Sequence, residues 1–366
     1  ALARRLEETL IRAANGLGAD DDAGLRDVLA RRDDLFTLNR VINLETGSLA
    51  VEAAFKFCLA RFIRIQDDAP APVHAGRVPV FLVMGDQDGG LRGNYHGTTV
   101  LTQLLRGMWP GLAAALAEAG LLKVVAIRPN CSGDLARAFA EYEKPPCKIA
   151  GFFHEIILMN YGAIVLERAF LQDAYAHCRT AGVPTVCDEI QSGIWAPRHF
   201  LFRDYGIRPS CVAVGKGFPG GEYAASRILF SAALDTLPQF GALVTNGQEE
   251  LASLAYLVTM AWAEANAAVT AAVGDRYEAA LRGLAAEFPG LIAGTHGWRH
   301  MTALRFADLE GARRFTAELN RRGLDISAQT YKADCPPVAL TKLPLIADDA
   351  VVARMTEAMR QAAAAL

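Results

Sequence analysis

Two charged side chains frame the chemistry this chain can do. Asp188 follows the apolar run Val183–Cys187, and Lys216 follows Cys211–Gly215, 28 positions further on. Desolvation lowers the proton affinity of a lysine and frees its amine to condense with an aldehyde. A carboxylate facing a pyridine nitrogen keeps that nitrogen protonated, which makes the ring an electron sink. A lysine and an aspartate so placed answer the two ends of pyridoxal phosphate. Alone, each motif reads more simply, Gly215-Lys216-Gly217 as a solvated turn and Asp188-Glu189 as the cap of a strand.

For both residues to serve one ligand, the elements carrying them must end at one sheet edge. In open α/β sheets ligands bind at the carboxyl ends of the strands. Apolar β-type runs occur at Val78–Met84, Val124–Arg128, Ile149–His154, Val183–Cys187, Cys211–Gly215 and Ser226–Phe230. Helical patterns lie between several of them, at Gly111–Glu118 and Arg168–Thr180, and another follows at Glu249–Ala263. Strands that are apolar throughout predict an α/β fold with a mostly parallel sheet covered on both faces. Leucines at 2, 6 and 10 predict an amphipathic helix before it, and a second is expected over about 24–31. After about Ala267 a long helix (Asp275–Phe288), the run Met301–Phe306, a helix from Leu309 and a closing helix near Asp348-Asp349 predict a smaller α+β domain. The expected division is a helical segment 1–39, a large domain 40–266 and a small C-terminal domain 267–366.

Composition narrows the function classes. Of the 366 residues 52% are hydrophobic and 21% charged, enough apolar surface to exclude a disordered chain. A formal net charge of −3 offers no basic footprint for nucleic acid or a membrane surface. No run reaches the length of a membrane span, and ALARRLEETL lacks the apolar core of a secretory signal. Seven cysteines, odd in number and without a CxxC pair, point to free thiols in a reducing cytoplasm. His296 and His300 have no third ligand in sequence, so no metal is expected.

Taken together, the motifs resemble class III pyridoxal-phosphate aminotransferases, the group of the ornithine, acetylornithine and 4-aminobutyrate enzymes. Asp188-Glu-Ile-Gln-Ser-Gly193 and Gly215-Lys-Gly-Phe-Pro-Gly-Gly221 look like the paired signatures of that family. Thr46-Gly-Ser48 ahead of a helix resembles its phosphate loop, and Asn94-Tyr-His-Gly-Thr98 its aromatic-His-Gly segment. His154-Glu155 resembles its glutamate site, and Thr245-Asn-Gly-Gln-Glu-Glu-Leu-Ala252 the segment whose threonine reaches the neighbouring subunit's phosphate. The likeness is good over roughly residues 40–260 and weak elsewhere.

The resemblance implies a fold type I pyridoxal-phosphate transferase, a homodimer with its active site at the interface, and a small-molecule amino donor and 2-oxo acid acceptor. It implies that Lys216 forms the Schiff base and shuttles the proton, and that Asp188 pairs with the pyridine nitrogen. By the same resemblance Gln191 bonds the phenolic oxygen and Ile190 packs on the ring, with Tyr95, beside His96, stacking on the other face. Thr46, Gly47 and Ser48 hold the phosphate, with Thr245 from the partner copy, and Glu155 completes the cofactor set.

The departures lie on the substrate side. The family's Glu-Pro-x-Gln is Glu155-Ile-Ile-Leu158 here, and its Gly-Glu-Gly is Asn160-Tyr-Gly162. Its Gly-Arg-Thr-Gly becomes Trp195-Ala-Pro-Arg198, one residue shorter. Where the family often has an arginine before Pro-Pro-Leu, this chain reads Thr341-Lys-Leu-Pro-Leu345, so Lys342 is expected to take its place and pair with Glu155. Thr46 also comes early for the family, so the segment ahead of it is expected to be shortened, divergent or missing from this sequence. Decarboxylase, racemase and aminomutase chemistry, or a non-catalytic binding role, remain open beside transamination.

Overall fold

The structure is a computed structural model and describes residues 2–196, 198–245, 250–330 and 335–366. Contacts divide the chain into two compact units, one running through Ile156 and over Leu166–Trp262, the other comprising Ile157–Val165 and Ala263–Leu366.

The first unit opens with α1 (Leu2–Asn15) and α2 (Asp22–Ala30). Strand β1 (Arg40–Leu44), α3 (Gly47–Leu59), β2 (Val78–Met84), α4 (Val100–Leu104) and α5 (Pro110–Glu118) follow. Next come β3 (Lys123–Ile127), α6 (Ser132–Tyr142) and β4 (Cys147–His154). A hairpin of β5 (Ile157–Leu158) and β6 (Ile164–Val165) clusters with the second unit. The chain then returns through α7 (Arg168–Ala181), β7 (Thr185–Asp188), α8 (Leu201–Asp204), β8 (Cys211–Val214), β9 (Ser226–Phe230) and α9 (Glu250–Ala265).

Seven of these strands make one sheet in the order β1-β9-β8-β7-β4-β2-β3. Pairing is parallel from β3 through β8, while β9 runs antiparallel to both its neighbours, so six strands point one way and one the other. Strands β7, β8 and β9 are buried at every position, as a sheet covered on both faces requires. Helix α3 lays its apolar side on the sheet, with Phe55 stacked on Phe81 at 4.3 Å and Phe57 on Phe230 at 4.4 Å. Helix α7 ends where Gly182 adopts a left-handed φ of +63°, turning the chain into β7.

The apolar runs read from the sequence are β2, β3, β4, β7, β8 and β9 within one to two residues. Several elements escaped the pattern, β1 and α6 among those in the first unit. Strand β1 is a five-residue piece whose first three positions are only half-buried, too short to stand out by alternation. The helix expected from Glu249 is α9, which starts at Glu250, Glu249 lying outside the described residues.

In the second unit, α10 (Ala267–Glu287), α11 (Leu309–Arg321) and α12 (Asp349–Ala364) pack with β10 (Ile292–His296), β11 (Ala303–Phe306) and β12 (Val338–Leu340). These strands form an antiparallel sheet in the order β10-β11-β12. Helix α12 starts on Asp348, whose carboxylate accepts the Val351 N–H at 2.9 Å. Helix α10 begins eight residues before the predicted start, because Gly274, just ahead of Asp275, lies buried inside the helix and does not end it.

Buried Asn39 ties α2 to the sheet. Its amide donates to the carbonyls of Val28 and Arg31 (3.1 and 2.9 Å) and its oxygen accepts the Ala232 N–H at 2.7 Å. Removing it takes a partner from three backbone groups, of which the Val28 carbonyl keeps the Arg31 N–H at 3.3 Å. Asn39→Ala should therefore cost roughly 2–4 kcal/mol, read as a lowered urea midpoint; an unchanged midpoint would refute the role.

Candidate active site

Four consecutive parallel strands, β2, β4, β7 and β8, deliver side chains to one sheet edge, and β1 leads to it from the side. Asp188 is the last residue of β7 and pairs in register with Ala213 of β8, three residues before Lys216. The Glu189 N–H continues the ladder to the Ala213 carbonyl at 2.9 Å.

Asp188 is buried, with 5% of its surface exposed, and both its oxygens are engaged. The Ile190 N–H donates to Oδ1 at 3.1 Å, and His96, from the loop after β2, donates from Nδ1 to Oδ2 at 2.9 Å. His96 is wholly enclosed, and its Nε2 has no partner among the described residues. A carboxylate has about four acceptor positions, so Asp188 keeps capacity for another N–H.

Lys216 lies just beyond Gly215 with its side chain exposed and its backbone left-handed at φ +43°. A lysine there costs about 1–3 kcal/mol and persists only where neighbours impose it. One neighbour is Trp195, whose indole lies so close to Gly217 that a Cβ there would come within 2.2 Å. No hydrogen bond or ion pair of the Lys216 amine occurs among the described residues.

The loop at α3 makes a cradle. Thr46 caps the helix, its hydroxyl accepting the Leu49 N–H at 3.4 Å. Ser48 Oγ accepts the Thr98 N–H at 3.1 Å, joining this loop to the segment after His96. Gly97, at φ +130°, leaves room for Ser48, since a Cβ would sit 2.6 Å from its Cα. The Ile190 side chain fills the space beside Gly47, where a Cβ would meet it at 2.9 Å, and touches Gly215 as well. The α3 terminus presents unpaired N–H groups at a positive dipole end, which suits a phosphate.

Tyr95 is half-buried, and the Arg106 guanidinium sits 4.6 Å from its ring centroid. Two buried residues shape the loop that carries it. Asp86 accepts the N–H groups of Asp88, Gly90 and Arg92 at 3.1, 2.7 and 3.3 Å. The Asn94 amide lies within bonding distance of the Met84, Leu91 and Leu105 carbonyls (3.0–3.2 Å), which sets Tyr95 beside the end of α4.

Glu155 follows β4 and is buried. Ahead of it His154 accepts the Tyr175 O–H at Nε2 (2.9 Å) and donates from Nδ1 to the Glu155 carbonyl (3.2 Å). Burial pushes the His154 pKa down to about 3, so the ring is neutral. Gln191 is half-buried on the loop after β7. Thr245 is exposed, and Asn246–Glu249 of its motif, like Pro197 of Trp195-Ala-Pro-Arg198, lie outside the described residues. Lys342 belongs to the second unit, two residues past β12. His296 donates from Nδ1 to the Gly162 carbonyl at 2.8 Å, and no cluster of three metal-ligating residues occurs among the described residues.

So the structure joins His96 to Asp188, Ser48 to Thr98, and Ile190 to Gly47 and Gly215. Of the residues that set these groups in place, Asp86 and Arg106 lie in no motif, while Glu189 and Trp195 fall in quoted stretches without a role of their own. Asp86-Gln-Asp-Gly-Gly90 shows only a turn, and Glu189 hides beside Asp188.

The Aminotransferase class-III family matches residues 2–362. The chain belongs to the class-III aminotransferases. These enzymes depend on pyridoxal phosphate. A curated relative, the ornithine aminotransferase of Emericella nidulans, is 35% identical over 103 residues, 28% of this chain and 23% of that enzyme. The matched stretch therefore spans less than a quarter of that relative. A transaminase from the marine bacterium Virgibacillus superposes with a TM-score of 0.76 at 16% identity, covering all of this chain and 79% of that one. The ornithine aminotransferase of Toxoplasma gondii, crystallised with oxidised glutathione, gives 0.69 at 20% identity, covering 96% and 78%. Both share the fold of this family member.

Glu189, wholly enclosed, holds the loop after Asp188. Its carboxylate accepts the N–H groups of Leu201 (2.9 Å) and Phe202 (2.7 Å) and the Ser192 hydroxyl (3.3 Å). Burial outweighs these bonds and pushes its pKa up from 4.5 to about 7. Between those values the folded chain holds a proton that the unfolded chain has released. The resulting stability is full below pH 4.5 and is lost as the pH rises through 7. Glu189→Gln should flatten the fall in stability between pH 5 and pH 8 by roughly 3 kcal/mol. Urea midpoints at both pH values check this, and equal slopes in the two proteins would sink it.

Proposed function

We propose that this chain is a pyridoxal-phosphate-dependent aminotransferase that moves an amino group between an amine or amino acid and a 2-oxo acid. The observation that carries the reading is the placement of Asp188 at the end of β7. It is oriented by His96 and the Ile190 amide and lies in register with Ala213, three residues before Lys216. The residues fit the cofactor on their own chemistry. An enclosed carboxylate retains an open acceptor position, the α3 terminus and the Ser48 hydroxyl offer polar groups to a phosphate, and an amine carries no ion pair among the described residues.

Pyridoxal phosphate, when bound, supplies an aldehyde for the donor amine and a protonated ring that accepts electron density from the breaking bond. Asp188 holds the proton on the ring nitrogen, and His96 keeps the carboxylate from rotating away. Thr46, Gly47 and Ser48, with the α3 N–H groups, bind the phosphate. Tyr95 offers a flat face and Ile190 an apolar one, Gln191 bonds the phenolic oxygen, and Glu155 lines the same site. Lys216 Nζ takes and returns the proton at the substrate's amine-bearing carbon, a base role worth about 10²–10⁴-fold in rate.

The chain is proposed to act as a homodimer in which Thr245 reaches the phosphate held by the neighbouring copy. Supporting this, α9 exposes Leu251, Leu254, Val258 and Trp262 at 56, 43, 60 and 37%, spaced three or four residues apart on one face. All seven cysteines are free and five are buried, as suits a reducing cytoplasm. No helix among the described residues is long and apolar enough to cross a membrane.

Borohydride reduction of the cofactor-loaded protein should leave a stable mass increment on the peptide bearing Lys216, and an amino-donor screen should yield 2-oxo acid products. Lys216→Ala should abolish the increment and lower turnover by on the order of 10²–10⁴-fold. An increment on another lysine would overturn the assignment, and carbon dioxide or racemised donor as the product would replace transamination with decarboxylation or racemisation. Leu254→Asp with Val258→Asp should convert the dimer to a monomer by light scattering, and an unchanged mass would exclude the α9 face.

A further inference from the structure

A second cleft in the first unit, of about 420 Å³, shares no lining residue with the site around Asp188. It is bordered by the end of α1, by α2 and by residues 198–209. Four arginines line it, Arg31, Arg198, Arg203 and Arg208, against one carboxylate, Asp27. The aromatic side chains of Phe36 and Phe202 also line it.

The four cations are not equally occupied. Arg31 is paired with Asp27, and Arg208 reaches Asp34 at 3.4 Å and the Thr37 hydroxyl at 3.1 Å. Among the described residues Arg198 has only Asp204, at 3.9 Å, beyond hydrogen-bond reach. The half-buried Arg203 guanidinium has no hydrogen bond or ion pair among the described residues. It is held by shape instead. Gly16, at φ +76° past the end of α1, leaves the space it occupies, and a Cβ there would lie 2.6 Å from its Nη2. Burial and the like charge of Arg198 both disfavour its charged form.

A guanidinium fixed by packing, beside a second poorly paired cation, is an electrostatic debt that a bound anion relieves. Arginine's planar fork suits phosphate and carboxylate oxygens in bidentate geometry. The volume falls within the range of small-molecule sites, and the two aromatic side chains favour a flat apolar body.

We infer that this cleft binds a small, multiply charged anion with a flat apolar body, the class to which nucleoside phosphates belong, through Arg203 and Arg198.

Isothermal titration of the full chain, loaded with pyridoxal phosphate, tests this with ADP, pyrophosphate and adenosine as probes. ADP should bind with a Kd below about 1 mM, pyrophosphate more weakly, and adenosine not measurably. Raising the salt should weaken ADP binding. Arg203→Met should weaken it about tenfold or more. Arg198→Glu, at an exposed position, should do the same without burdening the fold, so it serves if Arg203→Met melts early. Absence of ADP binding at about ten times that concentration, or binding unchanged in Arg198→Glu and in a folded Arg203→Met, would overturn the site. An Arg203→Met protein that melts early while Arg198→Glu binds ADP normally would overturn it too, leaving Arg203 as a cation at the end of α1.

Discussion

The parallel pairing of β7 with β8 is the constraint from which the rest of the site follows. Parallel neighbours end at the same edge, so a carboxylate closing one and a lysine just past the other arrive together without any long side chain reaching across. The register, with Asp188 opposite Ala213, fixes how far apart along the edge they emerge. Both strands are buried at every position, so they have no polar face to offer, and chemistry is confined to their ends. A slip of one residue would bury Asp188 among apolar neighbours or withdraw it from His96.

What keeps those ends in place is a set of buried polar side chains bonded to backbone. Asp86 gathers three N–H groups, Asn94 three carbonyls and Glu189 two N–H groups, and each fixes a loop that no regular element supports. An unmade bond at such a position costs more than a made bond yields, so these side chains specify one loop geometry rather than merely favour it. Each loop in turn carries a residue of the site: Tyr95 and His96 after Asp86 and Asn94, Asp188 and Gln191 beside Glu189. The order of the proposed active-site loops is set by groups to which no chemistry is assigned.

This division explains what could be read from the sequence. The six apolar runs and the Asp188–Lys216 pair were legible because strand burial and chain-end chemistry both leave local patterns. Strand β1 was not, since five residues, three of them half-buried, carry too little periodicity. The contact of His96 with Asp188 spans 92 positions, that of Glu189 with Phe202 joins a loop to α8, and the seat of Arg203 depends on a glycine 187 residues away. None has a signature in spacing, because each is created only when the sheet brings distant loops together. Trp195 departs from the family's pattern, but its place against Gly217 beside Lys216 comes only from the fold.

The same logic accounts for a familiar fold carried at 16–20% identity. The proposed cofactor side of the site is built mostly from backbone: the Ile190 amide on Asp188, the Thr98 amide on Ser48, the α3 terminus, and glycines that allow close approach. Backbone groups survive substitution, so a handful of side chains suffices to hold that half. Ile194–His199 is anchored differently. Ile194 and His199 are both left-handed, at φ +71° and +67°, the Ile194 N–H closes on the His199 carbonyl at 2.7 Å, and His199 donates to the Met260 carbonyl at 2.9 Å. Two non-glycine residues held in that conformation need their particular neighbours. A segment so dependent on its own side chains diverges as a block or not at all, which places the freedom to change in the linker between Asp188 and Lys216 rather than in either residue.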